Sequence, residues 1–308
     1  MAHAWRILVA DGMPDDALTR LRQEADVVEG GLEAAAEVDA LIVRGRSHVT
    51  DAVLASGRPR LRVVGRAGVG VDNINLEAAR RLGIVVVHSP LAATISVAEH
   101  ALALMFALAR RLPAADAGLR RGEWSKGEFE GHELFGKTLA LVGFGRIGRA
   151  LGQRCAALGM RLLAFDPLLS PEAIRQAGAA PVDLATLLGE ADYISLHVPL
   201  ETGTRHLIGA AELARLHPGA RLINTSRGGI VDEIALLHAL EDGRLAGAAL
   251  DVFETEPPGL SALIAHPAVV VTPHIAAQTA EAQARASADI AAEVLAALRG
   301  DPLRWRVA

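Results

Sequence analysis

Leu141-Val-Gly143-Phe-Gly145-Arg-Ile-Gly148 is the stretch on which the fold turns. It joins the apolar run at 138–142, which reads as a buried strand, to a helical pattern that begins near Arg146. Glycines in a G-x-G-x-x-G turn let the chain reverse tightly. They also bring backbone N–H groups close to a pyrophosphate at the positively polarised entrance of a helix. Gly143, Gly145 and Gly148, with the amides of Arg146 and Ile147, are therefore candidate phosphate contacts. A glycine-rich turn alone is a weak signal, and its place between strand and helix strengthens it.

The next strand, at 161–165, ends in Asp166, eighteen positions beyond Gly148. A carboxylate there can accept from ribose hydroxyls and would repel a 2′-phosphate. Pro167-Leu-Leu-Ser170 supplies no arginine to receive one, so the expected cofactor is NAD rather than NADP. The plainer alternative is an aspartate that caps a turn with Pro167.

Outward from this unit the same rhythm continues. N-terminal to it, strand-like runs at 6–10, 40–43, 61–64 and 84–87 alternate with helical patterns at 14–24, 51–55 and 76–82, the last with Asn75 as N-cap and Gly83 as its C′ residue. A second, longer alternation places strands near 139–142, 161–165, 193–197, 220–223, 248–252 and 269–271. The pattern predicts an α/β protein of two doubly wound parallel-sheet domains. An alanine-rich helix at about 279–298 follows with no strand of its own. The apolar run 101–109 is well short of the roughly twenty residues that span a bilayer, and reads as a buried helix. Ser96 and Glu99 suit a capping box at its start, and Pro113 suits its stop.

The 308 residues carry 31 Lys+Arg against 36 Asp+Glu, a formal net charge of -5, so neither a nucleic acid nor a membrane surface is the expected partner. With 51% hydrophobic and 22% charged residues the chain has ample core and is no disordered polar polymer. The single cysteine, Cys155, excludes an internal disulfide framework and suits a reducing, cytoplasmic setting. The start, Met1-Ala-His-Ala-Trp-Arg, shows no secretory signal.

Ligands of open parallel sheets gather outside the carboxyl ends of the strands. Three ionisable residues are expected there: Arg227 after the strand ending at Asn224, Glu256 after the strand that contains Asp251, and His274 after the strand ending at Thr272. Arginine can hold a carboxylate in a bidentate fork, and histidine can exchange a proton with a hydroxyl or carbonyl oxygen while a carboxylate orients it. Taken singly, Arg227 reads equally as a surface arginine, Glu256 as a solvated loop carboxylate and His274 as a loop histidine. Their co-location on successive strand ends favours the chemical reading. His197 and His100 are read as structural histidines, and no Cys/His grouping has metal-ligand spacing, so no metal is expected.

These residues resemble, over essentially the full chain, the D-isomer-specific 2-hydroxyacid dehydrogenase family, and within it the phosphoglycerate dehydrogenase branch. The matching stretches are Val64-Gly-Arg-Ala-Gly-Val-Gly-Val-Asp-Asn73, Ser96-Val-Ala-Glu-His100, Gly136-Lys-Thr-Leu with Gly143 to Gly148, Asn224-Thr-Ser-Arg-Gly-Gly-Ile-Val-Asp232, Ala248-Ala-Leu-Asp-Val-Phe-Glu-Thr-Glu-Pro257 and Thr272-Pro-His-Ile275. The resemblance implies a Rossmann-type cofactor domain, residues 93–275, inserted into a flavodoxin-like substrate domain, residues 1–92 and 276–308. It implies that Arg227 anchors the substrate, that His274 is the acid/base and that Glu256 is its partner. It also implies that Asp251 contacts the nicotinamide amide, that Thr225 joins the cofactor contacts, and that the Gly68-Val69-Gly70 backbone helps hold a substrate carboxylate. A small 2-hydroxy or 2-keto acid is the expected partner, and a homodimer is expected with 113–134 as the intersubunit arm. Arg44 and Arg46 fall where the family's substrate domain faces its cleft, and two guanidinium groups there suit a phosphate or sulfonate. Phosphoglycerate leads on that basis, with hydroxypyruvate, glyoxylate and sulfolactate as alternatives and a surface loop pair as the plainer reading of the two arginines. With Ala308 as its last residue, the chain is expected to lack the regulatory domains through which serine feeds back on some relatives. An NAD-sensing corepressor-like binding protein is the alternative from another class, disfavoured by the absence of a recruitment segment.

Overall fold

The strand runs at 138–142 and 161–165 do become neighbouring parallel strands, in a computed structural model that describes residues 5–308. The expectation about a leader in the first four residues lies outside the described residues. The chain divides into two compact units, Met1–Thr94 with Ala277–Ala308, and Ile95–Ala276.

In the first unit β1 (Arg6–Val9), α1 (Asp15–Glu24), β2 (Asp26–Glu29), β3 (Ala40–Val43), α2 (Asp51–Gly57), β4 (Val63–Arg66), α3 (Leu76–Leu82) and β5 (Val85–His88) follow in turn. The parallel sheet has the order β2-β1-β3-β4-β5, so its direction of winding reverses between β1 and β3. Strand residues alternate between two buried faces. Ile7, Val9, Ile42 and Val63 pack with Leu18, Leu21, Ile290 and Val294, while Leu8, Leu41, Val43 and Val64 pack with Leu54, Ala78 and Ala79. Burial on both faces explains why these strands read as continuous apolar runs. The edge strand β2 was not expected from its sequence.

The second unit takes all but the first residue of α4 (Thr94–Arg110), followed by α5 (Leu112–Arg120). It continues through β6 (Thr138–Val142), α6 (Arg146–Ala157), β7 (Arg161–Phe165), α7 (Pro171–Gln176), β8 (Ala180–Pro181), α8 (Leu184–Glu190) and β9 (Tyr193–Leu196). The remaining elements are α9 (Ala210–Leu213), β10 (Arg221–Asn224), α10 (Glu233–Glu241), β11 (Gly247–Leu250), α11 (Ala262–Ala265) and β12 (Val269–Val271). The seven parallel strands run β12-β11-β10-β9-β6-β7-β8, a doubly wound sheet whose switch point lies between β6 and β9. Leu139, Leu141 and Leu162 face Leu104, Met105 and Leu151 on one side. Val142, Leu163 and Ile194 face Leu187, Leu188 and Leu236 on the other.

Two local expectations are corrected. The capping box at Ser96 does not form, because α4 begins at Thr94 and Ser96 lies buried inside the helix, while the Glu99 carboxylate takes a hydrogen bond from Arg154 at 3.0 Å. Pro113 opens α5 rather than merely ending α4, which suits a residue that has no N–H to leave unpaired in a first turn. The last helix, α12 (Ala280–Arg299), is capped by the Thr279 side chain and packs on β4 and β5 of the first unit. Among the described residues no helix is long and apolar enough to cross a membrane.

Candidate active site

The turn between β6 and α6 has the geometry its glycines predict. A Cβ on Gly148 would sit 2.4 Å from the Gly143 carbonyl oxygen, so only glycine lets the first turn of α6 press this closely on the loop. Gly145 is the N-cap of α6 and no side chain occupies the capping role, so the amides at the helix entrance are left for a ligand. Asp166 closes the turn after its strand and also braces the glycine loop. Its Oδ1 accepts from the Leu168 amide at 2.9 Å, closing the turn after β7, and its Oδ2 accepts from the Phe144 amide at 2.8 Å, fixing the glycine loop. Each oxygen retains acceptor capacity for a ribose hydroxyl. At the end of β10 the Thr225 hydroxyl is buried with no hydrogen-bond partner among the described residues, an orphan of the kind a bound ligand satisfies. The cradle, the carboxylate and the orphan hydroxyl together fit a dinucleotide.

His197 lies against the same turn, with its ring 3.5 Å from the Cβ position of Gly148 and its Nε2 2.9 Å from the Ser195 hydroxyl. Burial pushes its pKa down to about 4, so the ring is neutral near pH 7. That fits the structural role read for it.

Arg227, Glu256 and His274 follow β10, β11 and β12 at their carboxyl ends. Asn224 is buried and holds the first of these loops. Its Nδ2 donates to the Arg227 carbonyl at 2.9 Å, and its Oδ1 accepts from the Ser226 amide and hydroxyl at 3.1 and 2.7 Å. The Arg227 guanidinium donates to the Ser226 carbonyl at 2.6 Å. Gly228 then touches the neighbouring loop: a Cβ there would fall 1.7 Å from the Phe253 carbonyl oxygen. This close approach brings the Arg227 loop against the segment that carries Glu256, whose Oε1 accepts from the Phe253 amide at 3.2 Å. The other Glu256 oxygen is 2.7 Å from His274 Nδ1. The structure thus joins Glu256 directly to His274, and Arg227 to both through backbone.

His274 has a left-handed backbone, φ 51°, which for a residue with a β-carbon persists only where its surroundings impose it. Asp251 imposes it. Its carbonyl accepts from the His274 amide at 2.8 Å, its Oδ1 from Thr272 Oγ1 at 2.6 Å and the Ile275 amide at 2.8 Å, and its Oδ2 from the Ala276 amide at 2.9 Å. His100 Nε2 lies 3.1 Å from Thr272 Oγ1 and 3.5 Å from Asp251 Oδ1. Burial alone would raise the Asp251 pKa, but hydrogen bonds from His100, Thr272 and the Ile275 and Ala276 amides outweigh it and hold the carboxyl below its usual value. Asp251 was expected at the nicotinamide amide. Here its carboxylate is fully buried, and its bonds go to the turn that presents His274.

In the first unit, Arg44 and Arg46 follow β3. Arg44 Nη2 donates to Gln278 Oε1 at 3.3 Å, and Arg46 Nη2 donates to the Asp11 carbonyl at 2.9 Å. Burial and the neighbouring Arg46 charge lower the Arg44 pKa against the opposing pull of Asp11. In the loop after β4 the Gly68 amide is engaged by the Arg66 carbonyl at 2.8 Å. The amides of Val69 and Gly70 have no backbone acceptor among the described residues. The sequence pointed to no role for Asn224 or Thr272, and for His100 to a structural one without its partners. For Asn224 a signal existed, a strand-ending Asn two residues before a Ser, which is an Asx-turn pattern.

Residues 102–276 match the model of the D-isomer specific 2-hydroxyacid dehydrogenase, NAD binding domain. The chain is 45% identical over 309 residues to a D-3-phosphoglycerate dehydrogenase of Synechocystis sp., covering 98% of this chain and 56% of that one. It therefore spans little more than half the length of the curated relatives it matches. A crystal structure of the TT0316 protein from Thermus thermophilus superposes with a TM-score of 0.90 at 36% identity, covering 98% of this chain and 100% of the other. D-Lactate dehydrogenase from Aquifex aeolicus, solved with NAD and lactic acid, superposes with a TM-score of 0.84 at 29% identity over 96% of each chain. With this coverage in both sequence and fold, the chain belongs to the D-isomer specific 2-hydroxyacid dehydrogenase family and carries its NAD-binding domain.

Proposed function

We propose that the protein is an NAD-dependent oxidoreductase acting at carbon 2 of a small D-2-hydroxy acid, with D-3-phosphoglycerate and 3-phosphohydroxypyruvate as the substrate pair. The observation that carries the reaction is the 2.7 Å contact between His274 Nδ1 and Glu256 Oε2. It commits Nδ1 to the carboxylate and leaves Nε2 as the nitrogen that exchanges a proton with substrate. Arg227 holds the substrate carboxylate and polarises the oxygen on carbon 2. In oxidation His274 Nε2 takes the hydroxyl proton, and in reduction the imidazolium returns it to the carbonyl oxygen. Bound NAD supplies the hydride acceptor in the first direction and NADH the donor in the second. Glu256 keeps the ring oriented throughout. Asp166, Thr225 and the amides at Gly145, Arg146, Ile147 and Gly148 are the residues that would hold the dinucleotide, while Asp251 acts through the His274 turn.

The substrate assignment rests on the 45% identity to an enzyme named D-3-phosphoglycerate dehydrogenase and on Arg44 and Arg46, two residues apart, whose charges interact. The Val69 and Gly70 amides are proposed carboxylate contacts. The 1–92/276–308 and 93–275 segments are assigned to substrate and cofactor respectively. Two copies are proposed to associate through the second unit, where Leu112, Leu119, Trp124 and Phe135 are exposed, Trp124 to 83%. A cytoplasmic location suits the lone reduced thiol.

The test is an NADH absorbance assay on purified protein. D-3-phosphoglycerate oxidation is compared with hydroxypyruvate, glyoxylate and sulfopyruvate reduction, with Arg44→Ala alongside. Preference for the phosphorylated substrate, lost in the variant, establishes the assignment. Equal activity on the unphosphorylated acids, untouched by the variant, removes phosphoglycerate and keeps the family reaction. NAD binding with no turnover on any acid favours the corepressor-like reading.

A further inference from the structure

We propose that Asp11 and Asn73 are positioning residues that clamp the Arg44–Ser47 turn from its two sides and so set the spacing of the arginine pair that reads the substrate's remote anion. The inference rests on the phosphoglycerate reading above.

The turn sits at the carboxyl end of β3, beside the end of β1, where the winding of the first sheet reverses. Asp11 is buried beneath it. One carboxylate oxygen accepts from the Arg44 amide at 2.7 Å and the Ser47 amide at 3.2 Å, and the other accepts from the Ser47 hydroxyl at 2.7 Å. The Asp11 carbonyl takes the Arg46 guanidinium at 2.9 Å. Asn73 works on the opposite set of groups: its Nδ2 donates to the Arg44 carbonyl at 2.9 Å and to the Ser47 carbonyl at 2.6 Å. Two side chains therefore satisfy both the amides and the carbonyls at the two ends of this turn, a job that neighbouring backbone performs in an ordinary loop.

The reason such a clamp is needed is electrostatic. Arg44 and Arg46 are two residues apart, and their charges repel each other before any anion arrives, an effect that the Asp11 charge opposes. Left to itself, a turn this short would relax to separate them. Held by Asp11 and Asn73, it presents both guanidinium groups in place, so a phosphate meets a prepared site and gives up less binding free energy to ordering it. Asn73 also closes the loop that starts at Gly68. Its carbonyl accepts from the Val49 amide at 2.8 Å, which ties the proposed carboxylate-holding amides to the proposed anion-reading turn through one residue. Hydrogen bonds from Ser47 and the Arg44 amide, together with the Arg46 charge, hold the Asp11 carboxyl below its usual pKa against the opposing effect of burial, so the clamp stays charged at neutral pH.

The test compares kcat/KM for D-3-phosphoglycerate with that for D-glycerate, which lacks only the phosphate. The proteins are wild type, Arg44→Ala, Asp11→Asn and Asn73→Ala, each checked for fold by circular dichroism. The expected result is that the ratio of phosphorylated to unphosphorylated substrate falls roughly tenfold or more in Asp11→Asn and in Asn73→Ala, mostly through KM, following Arg44→Ala. Variants that keep the wild-type ratio overturn the clamp and leave the substrate reading in place. Equal losses on both substrates also overturn it, because they assign the two residues to general stability. A wild-type ratio near one removes the phosphoglycerate reading itself, and that result is independent of the variants. Asn73→Asp, which turns a donor into a charge facing two carbonyls, should lower the ratio further than Asn73→Ala, and the reverse order overturns the carbonyl side of the clamp.

Discussion

Gly228→Ala is the substitution that most sharply probes how the three strand-end residues are assembled. The added Cβ would lie 1.7 Å from the Phe253 carbonyl oxygen, 2.1 Å from its carbon and 2.7 Å from the Glu254 nitrogen. All three are backbone atoms, so no side-chain rotation relieves the overlap. The loops must part by on the order of 1.5 Å before an ordinary non-bonded contact returns. Overpacking of this kind costs about 1–3 kcal/mol of stability. The larger effect falls on activity, because the separation moves Arg227 away from the segment that orients Glu256 and His274. A misplacement of about 1 Å can lower rate about a hundredfold. The expected result is a drop in kcat/KM of roughly a hundredfold, or about 2.7 kcal/mol in the barrier, with NADH binding largely kept. Gly189→Ala is the control, since nothing lies within 4 Å of its Cβ position near the end of α8. It should raise stability by about 0.5–1 kcal/mol and leave turnover alone. Steady-state kinetics and urea unfolding of both variants decide the matter. Gly228→Ala with activity within threefold of wild type and an unchanged unfolding midpoint would refute the argument from close approach.

Glu256→Gln should lower kcat roughly tenfold to a hundredfold while NADH affinity holds, measured by stopped-flow and fluorescence titration; equal kcat would remove Glu256 as the orienting partner. His197 has its folded pKa depressed from 6.5 to about 4, so the fold favours its neutral form; its contribution is fully present above pH 6.5 and is lost as pH falls towards 4, by on the order of 3 kcal/mol. Unfolding at pH 7 and pH 5 should therefore show an acid-side decline that His197→Asn makes shallower. Asp166→Ala removes both the ribose acceptor and the partner of the Phe144 amide, and should raise the KM for NAD about tenfold while relaxing discrimination against NADP. Burial pushes the Cys155 thiol up to about 12, so native protein should not react with a colorimetric disulfide reagent until denaturant is added.

The elements that were legible in the sequence are those whose signal is local. The strands at Ala40–Val43, Arg161–Phe165 and Val269–Val271 have the expected bounds, and the glycine turn stands between strand and helix as its pattern requires. β2 was not legible because Asp26-Val-Val-Glu29 has two apolar residues between two acids. It lies at the sheet edge, where little burial is demanded of it. The start of α4 was misread for a related reason: Ser96 and Glu99 have capping spacing, but packing carries the helix past them to Thr94. In the site, residue types at strand ends pointed to Arg227, Glu256 and His274. Of the groups that hold them in place, Asn224 bonds locally in an Asx-turn pattern, while Thr272 and His100 take their roles from three-dimensional neighbours that no spacing rule records. His100, for example, meets Thr272 from 172 positions away. Asp251 stands at a strand end as read, but its bonds to Thr272 and to the Ile275 and Ala276 amides depend on a turn more than twenty positions away.

In the proposed reaction His274, oriented by Glu256, moves the proton while hydride passes between carbon 2 and the nicotinamide. The most direct test is a single-turnover measurement in which enzyme preloaded with NADH is mixed with 3-phosphohydroxypyruvate and NADH loss is followed, for wild type and His274→Ala. Rapid NADH oxidation is expected of wild type, and a loss of about a hundredfold or more in the variant, with NADH affinity retained. Wild-type rates in His274→Ala, or wild-type protein that binds NADH and reduces no 2-keto acid, would contradict it.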